Sequence, residues 1–184
     1  NWNGKYLQVG CSGHCGQFVV SNPAFPTVTA TYPGDPQDLI TRGYAVLGTD
    51  EGHVGLAGGT WAVKGPGAVD QDAIEDWGWR ADKVLATLGK RFTTAFYAPL
   101  RESAVRIAHS YFSGCSGGGR DGLVAASYFP EQFDGIIAGS PYNGAGNAFQ
   151  FSAIPLASLR SDAAPIPASL VKLIDPIVKA RCDK

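Results

Sequence analysis

The stretch Tyr111–Leu123, YFSGCSGGGRDGL, leaves the chain few ways to fold. It runs from an apolar, β-like segment into a serine set between glycines and then into a helix-forming segment. A strand therefore has to turn into a helix within one or two residues. Gly114, Ser116 and Gly118 make a G-x-S-x-G pattern, and small flanking residues allow backbone angles closed to bulkier ones. A serine on such a turn is exposed at the edge of a sheet, and the free N–H groups of the helix N-terminus face a developing oxyanion. Ser116 is thus the candidate nucleophile. The alternative is a glycine-rich turn with a solvent-facing serine.

The flanking chain supplies the sheet that such a turn needs. KYLQVG (Lys5–Gly10) and YAVLGTDEGH (Tyr44–His53) are apolar runs that end in small and polar residues, the form of strands in a parallel sheet covered on both faces. From Val69 to about Tyr97 the period becomes helical: Ile74, Trp77, Ala81, Val84, Leu85 and Leu88 fall at steps of three or four, with charges between them. SYFSG then reads as a strand, GGGRDGLVAASYFP as a helix ended by Pro130, and FDGIIAGSP as another buried strand. This order predicts an α/β fold with a mostly parallel sheet and helices on both faces. Residues 54–67 are glycine-rich without a clear period, and one further helix, PASLVKLIDPIVKARC, is predicted after Pro141.

Composition bears on partners and compartment. A formal charge of −1 on 184 residues gives no reason to expect nucleic acid or an anionic membrane as partner, and no apolar run approaches the roughly 20 residues that span a bilayer. No signal peptide is legible; the chain opens at Asn1 and contains no Met, so its start reads as processed, trimmed or unobserved. The cysteines, Cys11, Cys15, Cys115 and Cys182, form no CxxC pair and have no clustered histidines beside them. That pattern favours disulfides over zinc, and with them an oxidising compartment, extracellular or periplasmic.

SYFSGCSGGGRDGL followed by YFPEQFDGIIAGSP resembles the tannase and feruloyl esterase family of serine hydrolases. NWNGKYLQVG, RGYAVLGTDEGH and the helix from Gln71 to Gly89 resemble its catalytic domain in the same order. The family includes fungal tannases, ferulate esterases and bacterial hydrolases of terephthalate half-esters. The resemblance implies an α/β-hydrolase core, incomplete in this chain, with residues 1–150 its N-terminal part and 151–184 the start of a lid-domain insertion. It implies a secreted carboxylesterase acting on small aromatic esters through an acyl-enzyme on Ser116. One oxyanion donor is then the backbone N–H of Gly117. The second lies in the GCSGHCG loop, where we assign it to Gly13, with Ser12 the alternative. That loop departs from the mostly glycine loop of the family, which leaves its register open.

The family order of nucleophile, acid, base places the triad Asp and His after Ser116, whereas His14, His53 and His109 all precede it. The resemblance therefore implies that both lie outside the chain, in a remainder of the same gene product that is cleaved, disordered or absent; a cleaved remainder would be a second chain, linked by a disulfide. It also implies that Cys115 is bonded to a cysteine beside the distant base and that Cys182 has a partner outside the chain. Cys11 and Cys15 are then left to pair with each other. ARCDK resembles the start of the family's calcium loop in the lid, with Asp183 the first ligand of a structural Ca2+ and the rest beyond Lys184. Two other readings stay open: a compact lipase- or cutinase-like esterase complete in this chain, and a dead hydrolase core serving as a binding module. Asp50, Glu51 and His53 are expected to brace the glycine-rich loop, Arg120 to anchor a neighbouring loop, His14 to be structural or at the rim, and Trp61, Trp77 and Trp79 to be packed.

Overall fold

The computed structural model describes residues 1–16, 36–55, 59–100, 104–141, 153, 156–157, 160 and 167–182. The chain forms two compact units, Asn1–Tyr142 and Asn143–Lys184. In the first, the apolar runs become four strands: β1 (Lys5–Val9), β2 (Ala45–Gly48), β5 (His109–Cys115) and β6 (Gly135–Gly139). They pair in parallel throughout, in the order β2-β1-β5-β6. Helix α1 (Pro36–Thr41), absent from the sequence reading, precedes β2. The segment read as featureless holds a 3-10 turn (Thr60–Ala62) and a small antiparallel pair, β3 (Val63–Gly65) and β4 (Ala68–Val69).

The long predicted helix is present but not uniform. It comprises α2 (Gln71–Glu75), a π turn (Asp76–Arg80) and α3 (Ala81–Tyr97). Asp70 caps its start, its side chain accepting from the Ala73 N–H. The π turn inserts a residue into the helical ladder. Beyond it the buried positions of α3 are Asp82, Ala86, Gly89 and Thr93, whereas Val84 and Leu88 are exposed. The expected apolar stripe is therefore not the buried one, because α3 meets the sheet through polar groups of β1. Tyr6 Oη donates to Leu85 O (3.3 Å), and Gln8 Nε2 donates to Asp82 Oδ1 (2.8 Å). Gly89 is the position that lets the Tyr6 hydroxyl approach, since a Cβ there would stand 2.7 Å from it.

Helix α4 (Gly117–Tyr128) follows β5 directly and packs on β5 and β6. Phe112, Ala125 and Phe129 are fully buried there, with Phe133 edge-on to Phe112 at 5.6 Å. On the opposite face, residues of the other strand parity, Leu7, Tyr111 and Ile137, line an open cavity together with Leu39 of α1. In the second unit, α5 (Ala168–Cys182) matches the predicted C-terminal helix and contains Pro176. Among the described residues no helix is long and apolar enough to cross a membrane.

Asp82 links the core to pH. Burial first, and then the charge of Asp121, push its carboxyl up to about 7. The folded protein thus keeps a proton that the unfolded chain releases above about pH 4. The stability this contributes is complete below about pH 4 and is lost as pH rises through about 7. We expect the thermal midpoint of the full-length protein to fall between pH 5 and pH 8. Asp82→Asn, which keeps an acceptor for Gln8, should reduce that fall, and parallel profiles for variant and wild type would show that Asp82 carries no such proton.

Candidate active site

In an open parallel sheet, ligands bind beyond the C-terminal strand ends where the strand order reverses. Here that point lies between β1 and β5, since β2 extends the sheet on one side of β1 and β5 and β6 on the other. The loops leaving these ends carry the backbone strain. Among the described residues, four non-glycine residues have positive φ: Cys15 (66°), Glu51 (60°), Ser116 (62°) and Ser140 (39°). They follow β1, β2, β5 and β6 respectively, one on each exit loop.

Ser116 is the sharpest of these turns. Its φ of 62° and ψ of −116° lie outside the allowed regions for L residues, and the strain is held at both ends. Its N–H donates to Gly139 O (3.0 Å), and its carbonyl accepts from the Arg120 N–H (3.1 Å). Ser116 is exposed while Gly114 and Gly117 are buried, and its hydroxyl is not spent on capping α4. A serine hydroxyl is thus presented over the sheet edge at the start of a twelve-residue helix.

The Gly10–Gly16 loop folds over that helix start. Gly13, with φ +63°, lies against Gly117, where a Cβ would run into the Gly13 carbonyl oxygen. Both expected oxyanion-donor positions therefore flank Ser116, and Ser12 sits in the same turn, its carbonyl accepting from the Cys15 N–H (3.1 Å). The expected Cys11–Cys15 disulfide is present, with Cα atoms 5.3 Å apart and both residues buried. Trp77 and Cys115 pack against it.

The structure also locates the remaining candidates. His109 begins β5 and Ser116 follows its end, so they stand about 20 Å apart at roughly 3.3 Å per strand residue, beyond proton transfer. The His14 ring meets Trp77 edge-on at 6.1 Å, and His53 is stacked on Trp61 at 4.1 Å with its Nδ1 3.3 Å from Glu51 O. Trp79 stacks on Tyr128 at 6.5 Å. The tryptophans are packed, as expected. Asp50 and Glu51 brace the loop: Gly16 N–H donates to Asp50 O (3.0 Å), and Glu51 meets Arg120. Cys115 is half-buried and Cys182 exposed, and neither is bonded within the chain. Asp183 lies outside the described residues.

Cys11, Cys15, Glu51 and Asp121 bring four donor atoms within 4.8 Å of one another. This is not a cation site in the present state, because the two sulfurs are joined and the Arg120 guanidinium supplies the positive charge. Sequence reading placed Arg120 but missed Asp121 and Asp82 as its buried companions. The available signal was an Arg-Asp pair directly after a glycine run, on a helix that has to be buried on its sheet side.

The sequence profile of the family "Tannase and feruloyl esterase" matches residues 1–184. A probable feruloyl esterase B-2 of Aspergillus flavus is 34% identical over 142 residues, covering 77% of this chain and 22% of that protein. An uncharacterized esterase of Xanthomonas campestris is 34% identical over 184 residues, covering 99% of this chain and 28% of that protein. The crystal structure of feruloyl esterase B from Aspergillus oryzae superposes with a TM-score of 0.57 at 30% identity, covering 86% of this chain and 25% of that one.

The chain belongs to the tannase and feruloyl esterase family.

Its sheet and helices are part of the α/β-hydrolase fold, and it spans about a quarter of the length of these relatives. The Ser116 turn joins strand β5 to helix α4 at a strained backbone conformation, with Gly114 and Gly118 two residues to either side. Strain of this kind costs on the order of 1–3 kcal/mol, and glycine escapes it. We therefore expect Ser116→Gly to be more stable than Ser116→Ala by about 1 kcal/mol in denaturant unfolding. An alanine variant of equal or greater stability would show that the turn is unstrained.

Proposed function

We propose that the full-length protein is a secreted serine carboxylesterase acting on esters of aromatic acids of the feruloyl or galloyl type. The observation that carries this reading is Ser116: an exposed hydroxyl on a strained turn, at the switch point of a tannase-family sheet. The name of the Aspergillus oryzae relative supports an aromatic ester as substrate. The buried Cys11–Cys15 disulfide supports an oxidising compartment.

Ser116 Oγ attacks the ester carbonyl carbon as its proton passes to a base. The carbonyl electron pair moves onto oxygen, where the N–H of Gly117 and that of Gly13, with Ser12 the alternative, stabilise the charge. Collapse expels the alcohol with the proton returned by the base, and water repeats the sequence on the acyl-enzyme. The base and its acid partner belong to the remainder of the protein. Cys115, one residue before the nucleophile, forms a disulfide with a cysteine beside that base, holding the two segments at the 4.4–6.8 Å Cα separation a disulfide allows. Asp183 opens a structural calcium loop in the lid, completed by oxygens beyond Lys184, because calcium takes six to eight.

Ser116→Ala in the full-length protein is expected to lower kcat for a feruloyl or galloyl ester by several powers of ten and to abolish labelling by a fluorophosphonate. A variant retaining more than a few per cent of kcat would remove Ser116 from the mechanism. On the same protein, peptide mapping is expected to find Cys115 bridged to a cysteine outside these 184 residues, and elemental analysis to find calcium that chelation removes with a fall in thermal midpoint. Cys115 as a free thiol or bridged to Cys11 or Cys15, or a metal-free protein indifferent to chelator, would overturn the respective assignment.

A further inference from the structure

A buried cluster of charges lies beneath the nucleophile turn, and none of the steps above uses it. Arg120, one helical turn after Ser116, is 8% exposed and joins three separate chain segments. Its Nη2 donates to Glu51 Oε2 (3.2 Å) on the β2 exit loop and to Trp77 O (2.6 Å) in the π turn, and stands 2.7 Å from Asp121 Oδ1 on α4. Its Nη1 donates to Gly78 O (3.3 Å), and its guanidinium carbon lies 3.9 Å from the centre of the Trp77 ring. Both carbonyls belong to the π turn.

The cluster continues into the loop over Ser116. Asp121, fully buried, accepts from the Cys11 N–H. Cys11 Sγ lies 3.4 Å from Glu51 Oε1 and 3.5 Å from Asp121 Oδ2. Cys11 opens the loop whose Gly13 abuts Gly117, and at its other end Gly16 N–H donates to Asp50 O, next to Glu51. Both ends of the loop are thus referenced to the groups around Arg120. Glu51 and Asp121 both meet the Arg120 guanidinium, and burial moves the carboxyls of Glu51, Asp121 and Asp82 upward. Burial first, and then the charge of Asp121, push the Glu51 carboxyl well above the usual carboxylate range. For stability alone this is a poor device, because the desolvation of buried ions opposes their attraction.

We propose that Arg120, Glu51 and Asp121 are positioning residues which set the oxyanion loop against Ser116, so that the loop donor and the Gly117 N–H converge on one oxygen. The proposal rests on the reading of Ser116 as nucleophile. A rigid, charge-tied support matters because a displacement of about 1 Å from productive geometry costs up to about 100-fold in rate. Glutamine at position 51 keeps the length of the side chain and an acceptor oxygen for Arg120.

The test uses the full-length protein, with 4-nitrophenyl butyrate as substrate and phenylboronic acid as a probe that becomes tetrahedral on the serine oxygen. Fluorophosphonate titration counts competent sites, so that kcat is expressed per competent site and loss of folded protein is not read as loss of catalysis. Glu51→Ala and Arg120→Met are expected to lower kcat by about 10- to 100-fold with KM changed by less than about threefold. Boronate affinity should fall in step with kcat, because both report the oxyanion site. Glu51→Gln should restore most of what Glu51→Ala loses. A kcat per site within about twofold of wild type in both variants overturns the proposal, as does a loss of kcat without loss of boronate affinity, or a Gln variant no better than Ala. If Arg120→Met yields no folded protein, the Glu51 pair decides. Failure of the wild type to be labelled at Ser116 is seen before any variant is compared, and it would fell the nucleophile reading and this proposal together.

Discussion

Everything at the sheet edge depends on one backbone turn. Between Cys115 and Gly117 the chain stops being a strand and becomes a helix, with Ser116 alone absorbing the change at a φ of 62°. Such a conformation persists only where the surroundings over-determine it. Here β6 holds the Ser116 N–H through Gly139, and the first turn of α4 holds its carbonyl through Arg120. The first residues of α4 have to lie flat against the β1 loop, which explains the glycine at position 117, where any side chain would displace the Gly13 carbonyl.

The same turn explains why charge is buried below it. A helix that begins at the sheet edge directs its next residues, Arg120 and Asp121, into the layer between α4 and the π turn rather than into solvent. A guanidinium there needs acceptors. It finds them in carbonyls of the π turn and in a glutamate just after β2, which has a positive φ and whose N–H bonds Thr49 Oγ1 at 3.0 Å. Strain on the exit loops and buried polar satisfaction are therefore two aspects of one arrangement. Loops that meet over a parallel sheet bring backbone close to backbone, and the groups trapped between them have to be paired.

How much of this was legible in the chain differs from element to element. The four parallel strands were, because each is a continuous apolar run bounded by glycine and polar residues. Helix α4 and the Ser116 turn were, because the glycine run and the abrupt change of period leave no other local solution. The buried face of α3 was not: Val84 and Leu88 keep helical spacing but lie exposed, while Asp82 and Gly89 are inside. Periodicity assumes an unbroken helix and an apolar partner, and here a π turn intervenes and β1 offers Tyr6 and Gln8. Helix α1 and the β3–β4 pair escaped notice for a simpler reason, being six, three and two residues long.

By itself, then, the sequence determined the class of fold, the succession of strands and helices along the chain that sets a serine at a strand-to-helix turn, and the glycines that allow the turn. These follow from local sterics and from burial periodicity, which act between near neighbours in the chain. Only the tertiary structure decided that His109 stands at the far end of β5, that the Cys11–Cys15 disulfide lies beside Asp121, and that Glu51, 69 positions before Arg120, is its partner. Such pairings depend on which loops the parallel sheet brings to the same edge, and on the demand that every charge buried there find its complement. Neither is written in any single stretch of the chain.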